Sequence, residues 1–88
     1  MIRRRVIAHG RVQGVFFRDT IRRQASARGV SGWVSNRSDG TVEAVFEGDE
    51  EAVENMVRHA REGPGRAEVA RLEVIEEAPE GVSGFEVR

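Results

Sequence analysis

The segment Gly10-Arg11-Val12-Gln13-Gly14-Val15-Phe16-Phe17-Arg18 carries the residue types that can hold an anion. It sets two glycines between an apolar strand pattern and a helical one, and it ends in an arginine. Glycine permits positive φ and a close approach of backbone to ligand. At the start of a helix, the amides of Gln13, Gly14, Val15, Phe16 and Phe17 can converge on one anion, where the helix dipole favours negative charge. The Arg18 guanidinium adds a planar fork that matches two oxygens of a phosphate or carboxylate. A cation there opposes the helix dipole by about 0.3–1 kcal/mol, a conflict that an anion beside it resolves. The carboxylate of Asp19, next in sequence, is a competing acceptor for the same guanidinium. The run lacks the Gly-Lys-Ser/Thr ending of a Walker loop and the Gly-x-Gly-x-x-Gly spacing of dinucleotide folds, which disfavours an NTPase or a dehydrogenase.

Composition narrows the chemistry further. A chain of 88 residues has room for one core, so residues 1–88 are read as a single domain. With 14 basic against 15 acidic residues and a net charge of −1, no general basic field exists to hold nucleic acid by counterion release. Any anion must be held locally. The absence of cysteine removes disulfides, thiolate nucleophiles and thiolate metal sites together. His9 reads as an outward strand residue and His59 as a cation at a helix C-terminus, so neither a metal nor a cofactor is expected. Met1-Ile2-Arg3-Arg4-Arg5 has the charge of a secretion signal, but the apolar run Val6-Ile7-Ala8 stops at His9. No stretch is long enough to span a membrane, and the cytoplasm is the expected location.

Two periods alternate along the chain and define the elements that must position these groups. Arg5 to Val12 reads as a strand, with Val6, Ala8 and Gly10 on one face and Ile7, His9 and Arg11 on the other. From about Phe17 to Arg28 the period becomes helical, with Phe17, Ile21 and Ala25 on one stripe and Gly29 as the stop. Val30 to Asn36 and Thr41 to Phe46 are strands joined through Ser38-Asp39-Gly40, a turn sequence that favours a hairpin. A second helix runs from about Asp49 to Arg61 on the stripe Val53, Met56, Val57 and Ala60, and Gly63-Pro64 ends it. Glu68 to Glu76 then alternates Ala70, Leu72 and Val74 inward, and a short last strand carries Phe85 and Val87. The order β-α-β-β-α-β plus an edge strand predicts a ferredoxin-like α+β sandwich, an antiparallel sheet with two helices on one face.

Two motifs carry a resemblance to a known family. The segment from Gly10 to Arg18 resembles the first signature of the acylphosphatases, and Gly32-Trp33-Val34-Ser35-Asn36-Arg37-Ser38-Asp39-Gly40-Thr41-Val42, running on to Gly48, resembles the second. The similarity extends through Gly63-Pro64 to Phe85-Glu86-Val87, nearly the whole chain. It implies a metal-free hydrolase that converts an acyl phosphate to a carboxylate and inorganic phosphate. By position, Arg18 matches the family's phosphate-binding arginine and Asn36 its water-orienting asparagine. The implied partner is a small-molecule acyl phosphate, with no nucleic acid or membrane, and a chain this short is expected to be a monomer.

A rival reading is a non-catalytic ferredoxin-like module that binds phosphate or RNA. An RNA module of this topology needs exposed aromatics on the sheet and a basic surface. The chain has four Phe and one Trp, and no net positive charge. Taken alone, Asn36 reads as a turn residue, Trp33 as packing, and Phe16 and Phe17 as core side chains whose amides are the functional part.

Overall fold

The computed structural model describes residues 1–14 and 16–88. Val15, one of the expected cradle amides, lies outside the described residues. Alternation along β1 (Ile2–Arg11) sends Val6 and Ala8 into the core and turns Arg3, Arg5, Ile7 and His9 to the opposite face of the sheet. Helix α1 (Phe17–Ala27) buries Phe17, Ile21 and Ala25, a stripe at intervals of four, and α2 (Glu50–Glu62) buries Val53, Met56 and Ala60. Strands β2 (Ser31–Asn36) and β3 (Val42–Gly48) add Val34, Val42, Ala44 and Phe46 to the same core. With β4 (Glu68–Glu77) and β5 (Phe85–Val87) the sheet order is β4-β1-β3-β2-β5. Both helices pack on one face, as the periodicity predicts.

The first four strands pair antiparallel, but β5 pairs parallel with β2. The whole sheet is therefore mixed rather than antiparallel. The parallel pairing follows from the long connection between β4 and β5, which crosses from one sheet edge to the other instead of turning back as a hairpin.

Strand β4 departs from simple alternation. Its register against β1 slips between His9 and Gly10, leaving Ala70 as an extra residue. Val69 and Leu72, three apart, thus both pack on the core, while the expected inward residues Ala70 and Val74 are exposed. The bulge also explains Gly10. A Cβ there would sit 2.3 Å from the Glu68 carbonyl oxygen and 2.8 Å from the Ala70 nitrogen. Glycine at this position answers the neighbouring strand, not a ligand.

On the helix-free face, charges pair along the strands. Arg3 donates to Glu47 and Glu77 and Arg5 to Glu43 and Glu77, while Arg4, which alternates to the helix side, pairs with Glu76. This cross-strand matching carries β1 back to Ile2, three residues before Arg5, where the sequence pattern starts the strand. The Arg5 and Arg3 hydrogen bonds hold the Glu77 carboxyl below its ordinary value. For Glu47, burial pushes the other way but is overcome by the amides of residues 80–82 and by Arg3, and the net direction is down. Depressed carboxylates stabilise the fold fully above their unfolded value and lose that contribution as pH falls through the folded one. We expect the urea midpoint to be flat through neutral pH and to fall below about 4.5, the ordinary glutamate value. Glu77→Gln should be less stable at neutral pH and show a shallower acid limb; an unchanged limb would remove Glu77 from the acid response.

Candidate active site

The loop from β1 to α1 leaves the strand at Val12, which is buried, and reaches the helix at Phe17, also buried. Between these anchors Gly14 and Phe16 are exposed. Gly14 has φ 73° and nothing within 4 Å of an added Cβ, so its backbone is open to solvent. Phe16 caps α1 in the left-handed region, at φ 62° and ψ 18°, with its side chain 77% exposed. That conformation costs a non-glycine residue of order 1–2 kcal/mol. It turns the chain abruptly from the loop into the helix. Among the described residues no side-chain hydrogen bond caps α1 at Phe16, and helix geometry leaves its first amides without intrahelical acceptors. The result is a helix N-terminus with free donors.

These donors border a cleft of about 470 Å³ lined by Val12, Gly14, Phe16, Phe17, Arg18, Asp19, Asn36 and Val87. Four of the five described site residues drawn from the first motif are on that list: Gly14, Phe16, Phe17 and Arg18. Asn36 enters from the second motif, so residues far apart in sequence meet in one depression.

Arg18 is half-buried in the first turn of α1, and its Nη1 donates to the main-chain oxygen of Arg88 at 3.0 Å. Asp19 does not compete for it. The Asp19 carboxylate accepts instead from Arg22 Nη2 and pairs with Arg23 Nε, each at 3.1 Å, one turn along the helix. Charge pairs at these spacings are the ordinary helix-surface partners, and they leave the Arg18 fork facing the cleft side.

Asn36 ends β2 opposite Val42 of β3. The turn beyond it closes with the Gly40 amide donating to the Arg37 carbonyl (3.2 Å) and the Arg37 amide to the Thr41 carbonyl (2.8 Å). Gly40 takes φ 91°, the role glycine plays after the turn residues of a short hairpin. Asp39 Oδ1 accepts from both the amide and the hydroxyl of Thr41.

Gln13 does not line the cleft. Its side chain donates from Nε2 to the Arg37 carbonyl at 2.8 Å and to the Thr41 carbonyl at 2.9 Å. It bolts the loop of the first motif to the hairpin of the second and so fixes Arg18 and Asn36 relative to one another. The sequence pattern alone suggests only a main-chain role for Gln13. A long amide side chain in the middle of a glycine-flanked loop was the available signal.

His9 lies with Glu73 and Arg71 on the helix-free face, and His59 accepts from Arg28 between the helices. Among the described residues no three His, Cys, Asp or Glu come together as a metal-binding group, and no helix is long and apolar enough to cross a membrane. The cleft offers an arginine, an asparagine amide and main-chain donors. That set can bind an oxyanion and orient a water.

Comparison with known proteins agrees with this chemistry. The acylphosphatase family model matches residues 4–87. An acylphosphatase of Haloarcula marismortui is 56% identical over 86 residues, covering 98% of this chain and 94% of the relative. One from Rubrobacter xylanophilus is 59% identical over 85 residues, covering 96% of this chain and 77% of the relative. The crystal structure of an acylphosphatase from Bacillus subtilis superposes with a TM-score of 0.94 at 38% identity, covering 100% of this chain and 99% of the other. A ferredoxin-like sandwich with both signature segments converging on one cleft, matched end to end by such relatives, belongs to the acylphosphatase family, enzymes that hydrolyse acyl phosphates.

Proposed function

We propose that Arg18 and the amides of the loop bind the phosphoryl end of an acyl phosphate, and that Asn36 orients the attacking water. The observation that carries this reading is the meeting of Arg18 and Asn36 on one cleft beside an uncapped helix N-terminus. An acyl phosphate is a mixed anhydride with a good carboxylate leaving group, so the protein has only to position the reactants and stabilise charge. Negative charge spreads over three equatorial oxygens in phosphoryl transfer, which the amides of Gly14, Val15, Phe16 and Phe17, with that of Gln13, and the Arg18 fork can match. Asn36 cannot serve as a base, but its carbonyl oxygen can accept from a water and fix the line of attack. The water oxygen bonds to phosphorus as the bond to the acyl oxygen breaks. The electron pair leaves with the carboxylate, and the water proton passes to a phosphate oxygen.

The same reading makes residues 1–88 one catalytic domain, active as a monomer in the cytoplasm with no cofactor. The alternative of a non-catalytic phosphate- or RNA-binding module is not favoured by the family match.

Phosphate release from benzoyl phosphate tests the proposal. We expect full turnover after exhaustive dialysis against a chelator, because the charge stabilisation comes from Arg18 and main-chain amides. Loss of turnover restored by Zn²⁺ or Mg²⁺ would contradict it.

A further inference from the structure

The most deeply buried acidic group, Glu47, lies across the sheet from the helices and has no part in the chemistry above. It is 1% exposed, and its partner Arg3 is 3% exposed. Glu47 Oε1 accepts from Arg3 Nη1 (3.1 Å) and the Glu80 amide (2.9 Å), and Oε2 from the amides of Gly81 (2.8 Å) and Val82 (3.1 Å). Four donors fill the capacity of one carboxylate. Three consecutive amides with Gly81 at φ 80° form a nest around an internal anion. Arg3 is the cation paired with Glu47, and the three amides, besides helping to stabilise its charge, have a second effect. They hold the connection that carries the chain from β4 to β5.

Strand β5 needs such an anchor. It is three residues long, pairs with β2 alone and sits at the sheet edge, where so short a strand has little stability of its own. Its other supports include packing against α1, the Gly32 amide on the Gly84 carbonyl at 2.9 Å, the Phe85 ring 6.0 Å from Phe46, the Arg88 amide on the Val34 carbonyl at 2.8 Å, and the Arg88 guanidinium 4.8 Å from the Trp33 ring. Its far end delivers Val87 to the cleft and the Arg88 main-chain oxygen to Arg18.

We infer that Glu47 is a positioning residue for the phosphate site: by holding the amides of residues 80–82 it fixes β5, whose following main-chain oxygen at Arg88 orients the Arg18 guanidinium. This role rests on Arg18 being the phosphate ligand. Glu47→Gln places an amide NH₂ among donors and opens the nest. Gly81→Ala strains the same nest without unpairing the buried Arg3, and its Cβ meets nothing within 4 Å. Trp33 is the one tryptophan of the chain, so its fluorescence quenching by acrylamide reports on the Arg88 end of β5 without any assay of activity.

In variants shown to be folded by circular dichroism, both substitutions should weaken inorganic phosphate binding and raise KM for benzoyl phosphate by roughly three- to tenfold. The change in kcat should be smaller, and quenching of Trp33 should increase. In an Arg18→Ala background neither substitution should lower the residual kcat/KM further. A folded variant with wild-type phosphate affinity and KM, or an equal loss in both backgrounds, makes Glu47 merely structural and overturns the inference. If Glu47→Gln does not fold, Gly81→Ala decides by the same criteria. Arg18→Ala binding phosphate as tightly as the wild type would instead sink the reading of the site, and it is recognised because Trp33 still responds to Glu47→Gln.

Discussion

Arg18→Ala is expected to lower turnover of benzoyl phosphate by about 10³-fold and to abolish binding of inorganic phosphate, with the fold intact. Loss of one preorganised donor to a developing oxyanion typically costs two to three orders of magnitude, and among the described residues Arg18 is the one cation that lines the cleft. Its removal leaves the buried stripe Phe17, Ile21 and Ala25 of α1 untouched. It also deletes a cation from the positive end of a helix, an arrangement that costs about 0.3–1 kcal/mol. The inactive variant should therefore be as stable as the wild type or slightly more so, which separates loss of function from loss of fold. Arg18→Lys keeps the charge but not the planar fork, and it should retain weak phosphate binding with most turnover gone. Calorimetric phosphate titration, thermal melts and steady-state kinetics on the three proteins check this together. Near-normal turnover by the alanine variant would remove the central claim.

How far such a site can be read before the fold is known depends on whether its parts are local. The helices α1 and α2 are legible because each displays its own buried stripe, and the loop from β1 to α1 because glycine and arginine mark it within nine consecutive residues. That order alone selects a ferredoxin-like sandwich. The missed features are all pairings between distant segments. The bulge at Ala70 depends on β4 lying beside Gly10, and the parallel pairing of β5 depends on how the chain crosses the sheet. The anchoring of Gln13 depends on the hairpin carbonyls of Arg37 and Thr41, which lie 24 and 28 positions away. Arg3 and Glu47 are 44 apart and read as solvated charges until the sheet brings them together. Residue type states what a side chain can do; only the register states what it meets.

Asn36 offers the sharper test, because its proposed role differs from that of Arg18 in timing. Arg18 interacts with phosphate charge present in both substrate and transition state, whereas an amide that aims a water contributes when the nucleophile approaches. Asn36→Ala should accordingly lower kcat by about 10²-fold or more, with KM changed little, and the variant should still bind inorganic phosphate. The residue is exposed at the end of β2 and holds no place in the core, so stability should stay within about 0.5 kcal/mol of the wild type. Asn36→Asp is nearly the same size but brings a negative charge beside a phosphate dianion. Repulsion across a partly desolvated cleft should then weaken phosphate binding as well as turnover, and the loss of binding should be relieved by added salt. The alanine variant thus fails in kcat alone and the aspartate variant in both constants. An Asn36→Ala protein with normal kcat, or one that no longer binds phosphate, would assign Asn36 a different part in the site, the first as a turn residue and the second as a direct ligand of the phosphoryl group.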